Sequence, residues 1–290
     1  MNGLLNINKS SGMTSHDVVD AVRHLVHTRR VGHTGTLDPL ATGVLVIMIG
    51  AATRLARFFS GMDKGYRAVV KLGETTTTYD AEGICIDRQP VTATQAEVEA
   101  ALASFRGPQL QVPPMYSAIR VDGRRLYKLA YQGKEIEREA RPITIHALAM
   151  TRWEPPTLTL EITCSAGTYI RSLAHDLGQI LGCGAHLAAL TRTAAGPFTL
   201  ETSHTLEALN DLAQANHLED ALLSPGVLLP MPAAILTLEQ VQAIRHGKTI
   251  TLTSAPVPEL QAWDAEGNLV AILIPLEERQ WRPSMVLTEA

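Results

Sequence analysis

The sequence predicts a mixed α/β protein, and three observations carry that prediction. Apolar residues recur at helical spacing over residues 15–26 and 94–105, whereas residues 157–163 alternate apolar with polar as a half-buried strand does. A continuous apolar run, Val44-Leu45-Val46-Ile47-Met48-Ile49, suits a buried strand. With 290 residues, 46% of them hydrophobic, the chain can bury a sizeable core as one large domain or as a large and a small one.

Taken in order, Leu4-Leu5-Asn6-Ile7-Asn8 reads as a first strand and Lys9-Ser10-Ser11-Gly12 as a turn. Val18, Val19, Ala21, Val22, Leu25 and Val26 mark a helix that Thr14 or Ser15 caps. After the apolar run, residues 51–59 read as a helix with Leu55, Phe58 and Phe59 inward. Residues 66–72 are a strand whose period is blurred by the Val69-Val70 pair, and the polar stretch 75–80 reads as a loop. The helix at 94–105 carries a capping box, Thr94 with Glu97, and Gly107 and Pro108 end it. Asp122-Gly123 marks a hairpin turn. The strand at 157–163 leads through Gly167-Thr168-Tyr169-Ile170-Arg171 into a helix marked by Leu173, Ala174, Leu177 and Leu181. Gly182-Cys183-Gly184 stops that helix, and residues 185–192 return as a strand carrying Leu190. A helix at 206–213 precedes a junction marked by Pro225, Pro230 and Pro232. Beyond it, a short helix at 238–245 and strand segments near Thr249 and Leu269 make the remainder small and mostly β.

The net charge of −4 weighs against a nucleic-acid partner until the chain is divided. Residues 1–175 hold 20 Lys and Arg against 16 Asp and Glu, whereas residues 176–290 hold 5 against 13. The first part is therefore positive by four charges and the second negative by eight. Within the positive part, Arg120, Arg124, Arg125, Lys128, Lys134, Arg138 and Arg141 are interleaved with Tyr116, Tyr127 and Tyr131. Such a mixture suits RNA backbone contact and base stacking, although many such patches are only solvated surface. The three cysteines, Cys85, Cys164 and Cys183, include no C-x-x-C pair, so reduced thiols and no structural metal are expected. No apolar run approaches the roughly 18 to 20 residues of a membrane span, and residues 1–12 lack the pattern of a signal peptide; a cytoplasmic protein is expected. There is no dinucleotide fingerprint, no P-loop lysine and no metal-ligand spacing, so no cofactor is expected either.

The chemistry centres on residues 32–45, GHTGTLDPLATGVL. Its glycines open backbone angles closed to other residues, and Pro39 fixes its own φ while pushing Asp38 towards an extended conformation. A carboxylate is thereby presented on a stiff turn at the edge of a buried strand. A lone Asp-Pro usually does no more than start a turn; the whole string is more unusual.

With its flanks, this string resembles the signature of the bacterial tRNA pseudouridine-55 synthases, the TruB family of pseudouridine synthases. Four further stretches agree in order: NKSSGMTSHDVV from Asn8, KGYRAVVKLG from Lys64, VPPMYSAIRVDGRRLYKLA from Val112 and CSAGTYIRSLAHDLG from Cys164. The likeness covers about residues 3–200. It implies a pseudouridine-synthase fold with a central mixed, largely antiparallel sheet in a catalytic domain of residues 1–229. A small, mostly β, PUA-like RNA-binding domain would follow over residues 230–290. The implied reaction is isomerisation of uridine 55 in the T-arm of tRNA, without cofactor, metal or guide RNA, by a monomer. Residue by residue, the resemblance makes Asp38 the catalytic nucleophile and Arg171 its charge partner. It makes Tyr66 the ring that stacks on a flipped-out uracil and helps remove the proton from C5. His33 would contact the RNA near the vacated position, and Tyr169 and Leu190 would line the uracil pocket. The chain departs from the family at Ser10, where Pro is usual, at Thr77, where Asp is usual, and at Tyr131, where Arg is common. The departures at Ser10 and Tyr131 bear on the strength or geometry of RNA contact rather than on the acid.

Overall fold

The apolar run at 44–49 is covered from both sides, and the fold is built outward from it. The structure, a computed structural model, describes residues 1–117, 119–121, 123–130, 132–134, 136–253, 257–277 and 279–287. Asp122 and Tyr131, and the side chains of Arg120, Arg125, Tyr127 and Lys128, lie outside the described residues. The first strand, β1 (Gly3–Lys9), leads to α1 (Ser15–Leu25), β2 (Val31–His33) and β3 (Thr42–Ile49). A 3₁₀ turn (Gly50–Leu55) and α2 (Ala56–Ser60) precede β4 (Lys64–Leu72), β5 (Glu74–Thr76) and β6 (Cys85–Arg88). Next come α3 (Gln95–Ala103), β7 (Gly107–Gln111), β8 (Arg120–Val121), β9 (Arg124–Arg125) and α4 (Leu126–Ala130). They are followed by β10 (Arg141–Glu154), β11 (Thr157–Cys164), α5 (Ile170–Ile180), β12 (Ala185–Ala195), β13 (Phe198–Thr199) and α6 (Leu206–Gln214). The last part holds β14 (Ala233–Ile235), α7 (Leu238–Arg245), β15 (Ile250–Thr251), β16 (Leu260–Trp263), β17 (Leu269–Pro275) and β18 (Gln280–Val286).

Nine strands form one sheet in the order β1-β3-β12-β4-β11-β10-β7, with β2 added to β3 and β13 to β12. Only β3 and β12 run parallel; the other pairs are antiparallel, so the sheet is mixed and largely antiparallel. Leu45, Ile47 and Ile49 of β3 face a core closed by α1, α3, α5 and α6, through Val18, Leu102, Leu177 and Leu209. Val44, Val46 and Met48 face the opposite core, with Leu55, Phe59 and Phe198. Burial on both faces is why this strand reads as an unbroken apolar run. A second sheet of five strands, β14-β16-β17-β18-β15, has its own core around Ile244, Leu260, Leu273 and Trp281. Its Ile272, with Leu229 and Leu287, also joins the second face of the large sheet, and the Arg57–Glu259 ion pair ties α2 to it.

Several expectations need correction. The stretch 75–80 is not simply a loop: Thr75 and Thr76 belong to β5, which pairs with β6, and both are buried. Residues 51–59 are not one helix; the 3₁₀ turn comes first, and Phe58 is only partly buried, with the Arg57 guanidinium 4.5 Å above its ring. In β4 the Val-Val pair does no harm to the alternation, because Tyr66, Ala68, Val70 and Leu72 all turn inward while Val69 does not. The long strand β10 had no clear signature, since register shifts at Ile145/Ala147 and Met150/Arg152 break its period. The expected capping box is present at Thr94 with Glu97, and Thr14, one of the two residues expected to cap α1, does so in a box with Asp17.

One glycine is dictated by the packing. Gly43 has φ +98, and a Cβ there would lie 2.2 Å from the Arg192 carbonyl oxygen. That close approach brings β3 against β12 just after the Asp38 loop. Gly43→Ala is expected to lower stability by about 2–4 kcal/mol in chemical denaturation, since both the backbone angle and the contact oppose a side chain.

Candidate active site

Asp38 lies in the loop between β2 and β3, and that loop is fixed on both sides of the acid. Leu37 N donates to Ser15 Oγ at 2.8 Å, and the same hydroxyl donates back to Leu37 O at 3.0 Å. Gly12 N donates to Pro39 O at 2.9 Å, and Ala41 N donates to Asp38 O at 3.1 Å. The turn of residues 10–12 and the start of α1 thus hold the loop in place, and 33% of the Asp38 side chain remains exposed.

Arg171, in the first turn of α5, grips that carboxylate with two donors. Its Nε lies 2.9 Å from Asp38 Oδ2, and its Nη2 donates to Asp38 Oδ1 at 3.2 Å. The guanidinium is buried, and its remaining N–H groups are occupied: Nη2 also donates to Tyr116 O at 2.8 Å and Nη1 to Thr78 O at 3.3 Å. Such a two-point grip fixes the plane of the carboxylate as well as its charge.

A second acid completes the arrangement. Asp80 Oδ2 lies 3.4 Å from Arg171 Nη1, and Asp80 is only 2% exposed. Thr78 Oγ1 and Glu82 N both donate to Asp80 Oδ1. Lys9, fully buried at the end of β1, donates to Met13 O at 2.7 Å, Ser10 O at 3.0 Å and Pro39 O at 3.3 Å. Burial pulls the Lys9 ammonium down to about 8, while the nearby Asp38 charge pulls it back up. Burial raises the Asp38 carboxyl above its ordinary value; Arg171 opposes that shift, Asp80 adds to it and Lys9 opposes it. Asp80→Asn is expected to slow the reaction by about 100-fold with little change in RNA affinity, because the guanidinium loses the acid that fixes its far side. Single-turnover rates and filter binding together would check this.

Sequence reasoning missed Asp80 and Lys9. The signal for Asp80 was present but indirect: an Arg that must be buried beside one exposed carboxylate has a donor face left over. Lys9 gave no signal, since a lysine between a strand and a turn is normally solvated.

The other expected residues fall into two groups. Tyr66 is 8% exposed on β4, opposite Arg192 of β12. Leu190 stands opposite Ala68, two residues along, so Leu190 and Tyr66 share one face of the sheet. Burial raises the Tyr66 phenol; the Arg192 guanidinium acts in the other direction, and Asp38 is close enough to add to the rise. Tyr169, the residue before α5, is fixed by Gln111, which accepts from its N–H at 2.8 Å and donates to its carbonyl at 3.0 Å. Its phenol, raised by burial, is near Ser117, Arg171 and Asp38. Tyr66 and Tyr169 thus both feel the charge of Asp38, and Leu190 shares a sheet face with Tyr66. His33 closes β2, five residues before Asp38, and no hydrogen bond or ion pair connects the two side chains among the described residues. Its Nδ1 is buried without a partner, and burial, followed by the charge of Arg192, keeps the ring below its usual value and neutral. Thr77 turns the β5–β6 hairpin, pairing with the backbone of Ile84.

Among the described residues no His, Cys, Asp or Glu cluster is arranged to hold a metal ion, and no helix is long and apolar enough to cross a membrane. Two solved structures share the fold over 99% of this chain. One is a Cbf5-Nop10-Gar1 complex (TM-score 0.74, 24% identity, 85% of that chain covered). The other is an H/ACA RNP bound to a substrate RNA containing 2′-deoxyuridine (TM-score 0.73, 22% identity, 85% covered). Residues 23–170 match the N-terminal domain of the TruB family pseudouridylate synthases, and residues 171–236 match a C-terminal domain of tRNA pseudouridylate synthase B. The shared fold and the family match together make the protein a pseudouridine synthase. The tRNA pseudouridine synthase B of Pseudomonas aeruginosa (strain UCBPP-PA14) is 44% identical over 277 residues, 94% of this chain and 91% of its own length. That of Yersinia pestis (strain Pestoides F) is 44% identical over 266 residues, 88% of this chain and 82% of its own. The chain belongs to the TruB family.

Proposed function

We propose that this protein converts uridine 55 in the T-arm of tRNA to pseudouridine, with Asp38 acting on a flipped-out uridine. The observation that carries the proposal is the grip of Arg171 on a carboxylate that remains one-third exposed, with Tyr66 and Tyr169 within reach of its charge. Relatives named tRNA pseudouridine synthase B support tRNA as the substrate.

The reaction breaks the bond between ribose C1′ and uracil N1 and makes one between C1′ and C5; C5 loses a proton and N1 gains one. It is an isomerisation, so the chain needs to supply charge, orientation and proton transfer only. As an anion, Asp38 either attacks the sugar or base to give an adduct, or removes a ribose proton to give a glycal. Both routes need an ionised carboxylate in a site from which the substrate excludes water, and Arg171 supplies the opposite charge. Tyr66 stacks on the everted base, a contact worth about 1–3 kcal/mol, which offsets much of the cost of extrusion. Tyr66 also takes part in removing the C5 proton, Tyr169 and Leu190 line the uracil pocket, and His33 contacts the RNA at the vacated position. Residues 1–229 act as the catalytic domain, and residues 230–290 as a PUA-like RNA-binding domain. The enzyme works in the cytoplasm as a monomer and without a guide RNA.

Purified protein incubated with unmodified tRNA labelled with tritium at uracil C5 should release tritium without added cofactor. Absence of release from tRNA, with or without added guide-type RNA, would refute the reading. The pH dependence follows from the raised Asp38 carboxyl. Activity requires the anion, so it is lost as pH falls through the folded-state value of Asp38. That loss should be centred above the ordinary carboxylate value of about 3.9. A single-turnover pH profile still flat below that value would contradict the assignment.

A further inference from the structure

Arg192 is among the largest fully buried side chains of the protein, yet it has no carboxylate within ion-pair distance among the described residues. It sits on β12 with Tyr66 of β4 on one side and Gly43 of β3 on the other, where the parallel pairing of β12 with β3 begins. Its Nε donates to Val44 O at 2.6 Å, its Nη2 to Gly35 O at 3.1 Å and its Nη1 to Thr36 O at 3.4 Å. Tyr66 is the direct cross-strand neighbour of Arg192, and the guanidinium charge acts on the Tyr66 phenol. Gly35 and Thr36 form the limb of the loop that enters Asp38, and Val44 lies just beyond the limb that leaves it.

A buried cation without an anion is costly, and an apolar side chain of similar volume would usually pack at lower cost. Carbonyl oxygens compensate the charge in part. A planar guanidinium, with five donors in a fixed fork, can meet three carbonyls at once, whereas an ammonium cannot span them. What these partners share is that every one belongs to the Asp38 loop, to its exit into β3, or to Tyr66.

We propose that Arg192 is a positioning residue for the isomerisation. It ties the two limbs of the Asp38 loop to each other and to Tyr66, so that carboxylate and phenol meet the base in one fixed geometry. Arg171 sets the orientation of the Asp38 carboxylate, and Arg192 sets the backbone from which that carboxylate projects. The inference rests on the roles given above to Asp38 and Tyr66.

The test uses the full chain with Arg192→Met and Arg192→Lys, each also made in a Tyr66→Phe background. Thermal unfolding, filter binding of tRNA and single-turnover tritium release at saturating protein are read for every variant. Arg192→Met should stay folded, bind tRNA within about 3-fold of wild type and react about 100-fold more slowly, the penalty expected of a misplaced reacting group. Arg192→Lys should recover part of the rate. In the Tyr66→Phe background the same replacements should cost less, because residues that act as a unit are not additive. The proposal is overturned if folded Arg192→Met reacts within about 3-fold of wild type, or if its defect lies only in tRNA affinity. It is also overturned if neither variant folds, since a role in the fold alone would then account for the side chain. A wild type that releases no tritium would instead remove the reading beneath it, a result that the variants cannot mimic.

Discussion

Asp38→Asn loses tritium release by at least about 10⁴-fold while binding tRNA as tightly as wild type. The amide keeps the shape of the side chain but can neither attack nor accept a proton as an anion. Binding should survive because the amide leaves the shape of the side chain unchanged. The same replacement carries a stability signature with a definite sign. The Asp38 carboxyl is raised in the folded protein, so its ionisation costs stability as pH rises from the unfolded value of about 3.9 through the folded one. Below that window both states are protonated and the cost is absent. Asp38→Asn should therefore unfold no earlier than wild type at pH 7, and the two should converge near the acid end of the window. Urea denaturation at both pH values checks this, and a variant that is less stable only at neutral pH would contradict the sign.

Arg171→Met should cost both activity and stability. The guanidinium is the cation against Asp38 and Asp80 together, and it closes the carbonyls of Thr78 and Tyr116. Removing it strands Asp80, which is almost wholly buried. Stranding a buried charge costs about 3–5 kcal/mol; Asp38, one-third exposed, adds less. Activity should fall at least about 10³-fold, because the carboxylate loses both its partner and its plane. Arg171→Lys should not restore it, since one ammonium cannot bridge two carboxylates and two carbonyls. Denaturation midpoints and single-turnover rates would show it; a lysine variant close to wild type would mean that charge alone matters.

How much of this was legible in the sequence depended on whether a feature was local. Asp38 was conspicuous because Gly, Thr and Pro around it describe a stiff turn, and because the strand that follows is apolar on both faces. The helices at α1, α3 and α5 announced themselves through period and caps. Features that rest on pairings between distant segments did not. Asp80 is buried only because Arg171, 91 positions later, needs it. Thr75 and Thr76 form a strand because β6 returns to pair with them. Arg192 stands in a strand where an arginine normally faces water; its partners are carbonyls 148 to 157 residues away. The length of β10 was hidden by its own register shifts. His33 was legible only through the motif it shares with Asp38, since a lone histidine carries no signal of its own.

The most direct measurement is mass-spectrometric mapping of pseudouridine in unmodified tRNA treated with wild type and with Asp38→Asn. Pseudouridine confined to position 55 after wild-type treatment, and none after treatment with the variant, is the predicted result. Pseudouridine formed by the variant, or formed by wild type only at other positions, would contradict the account.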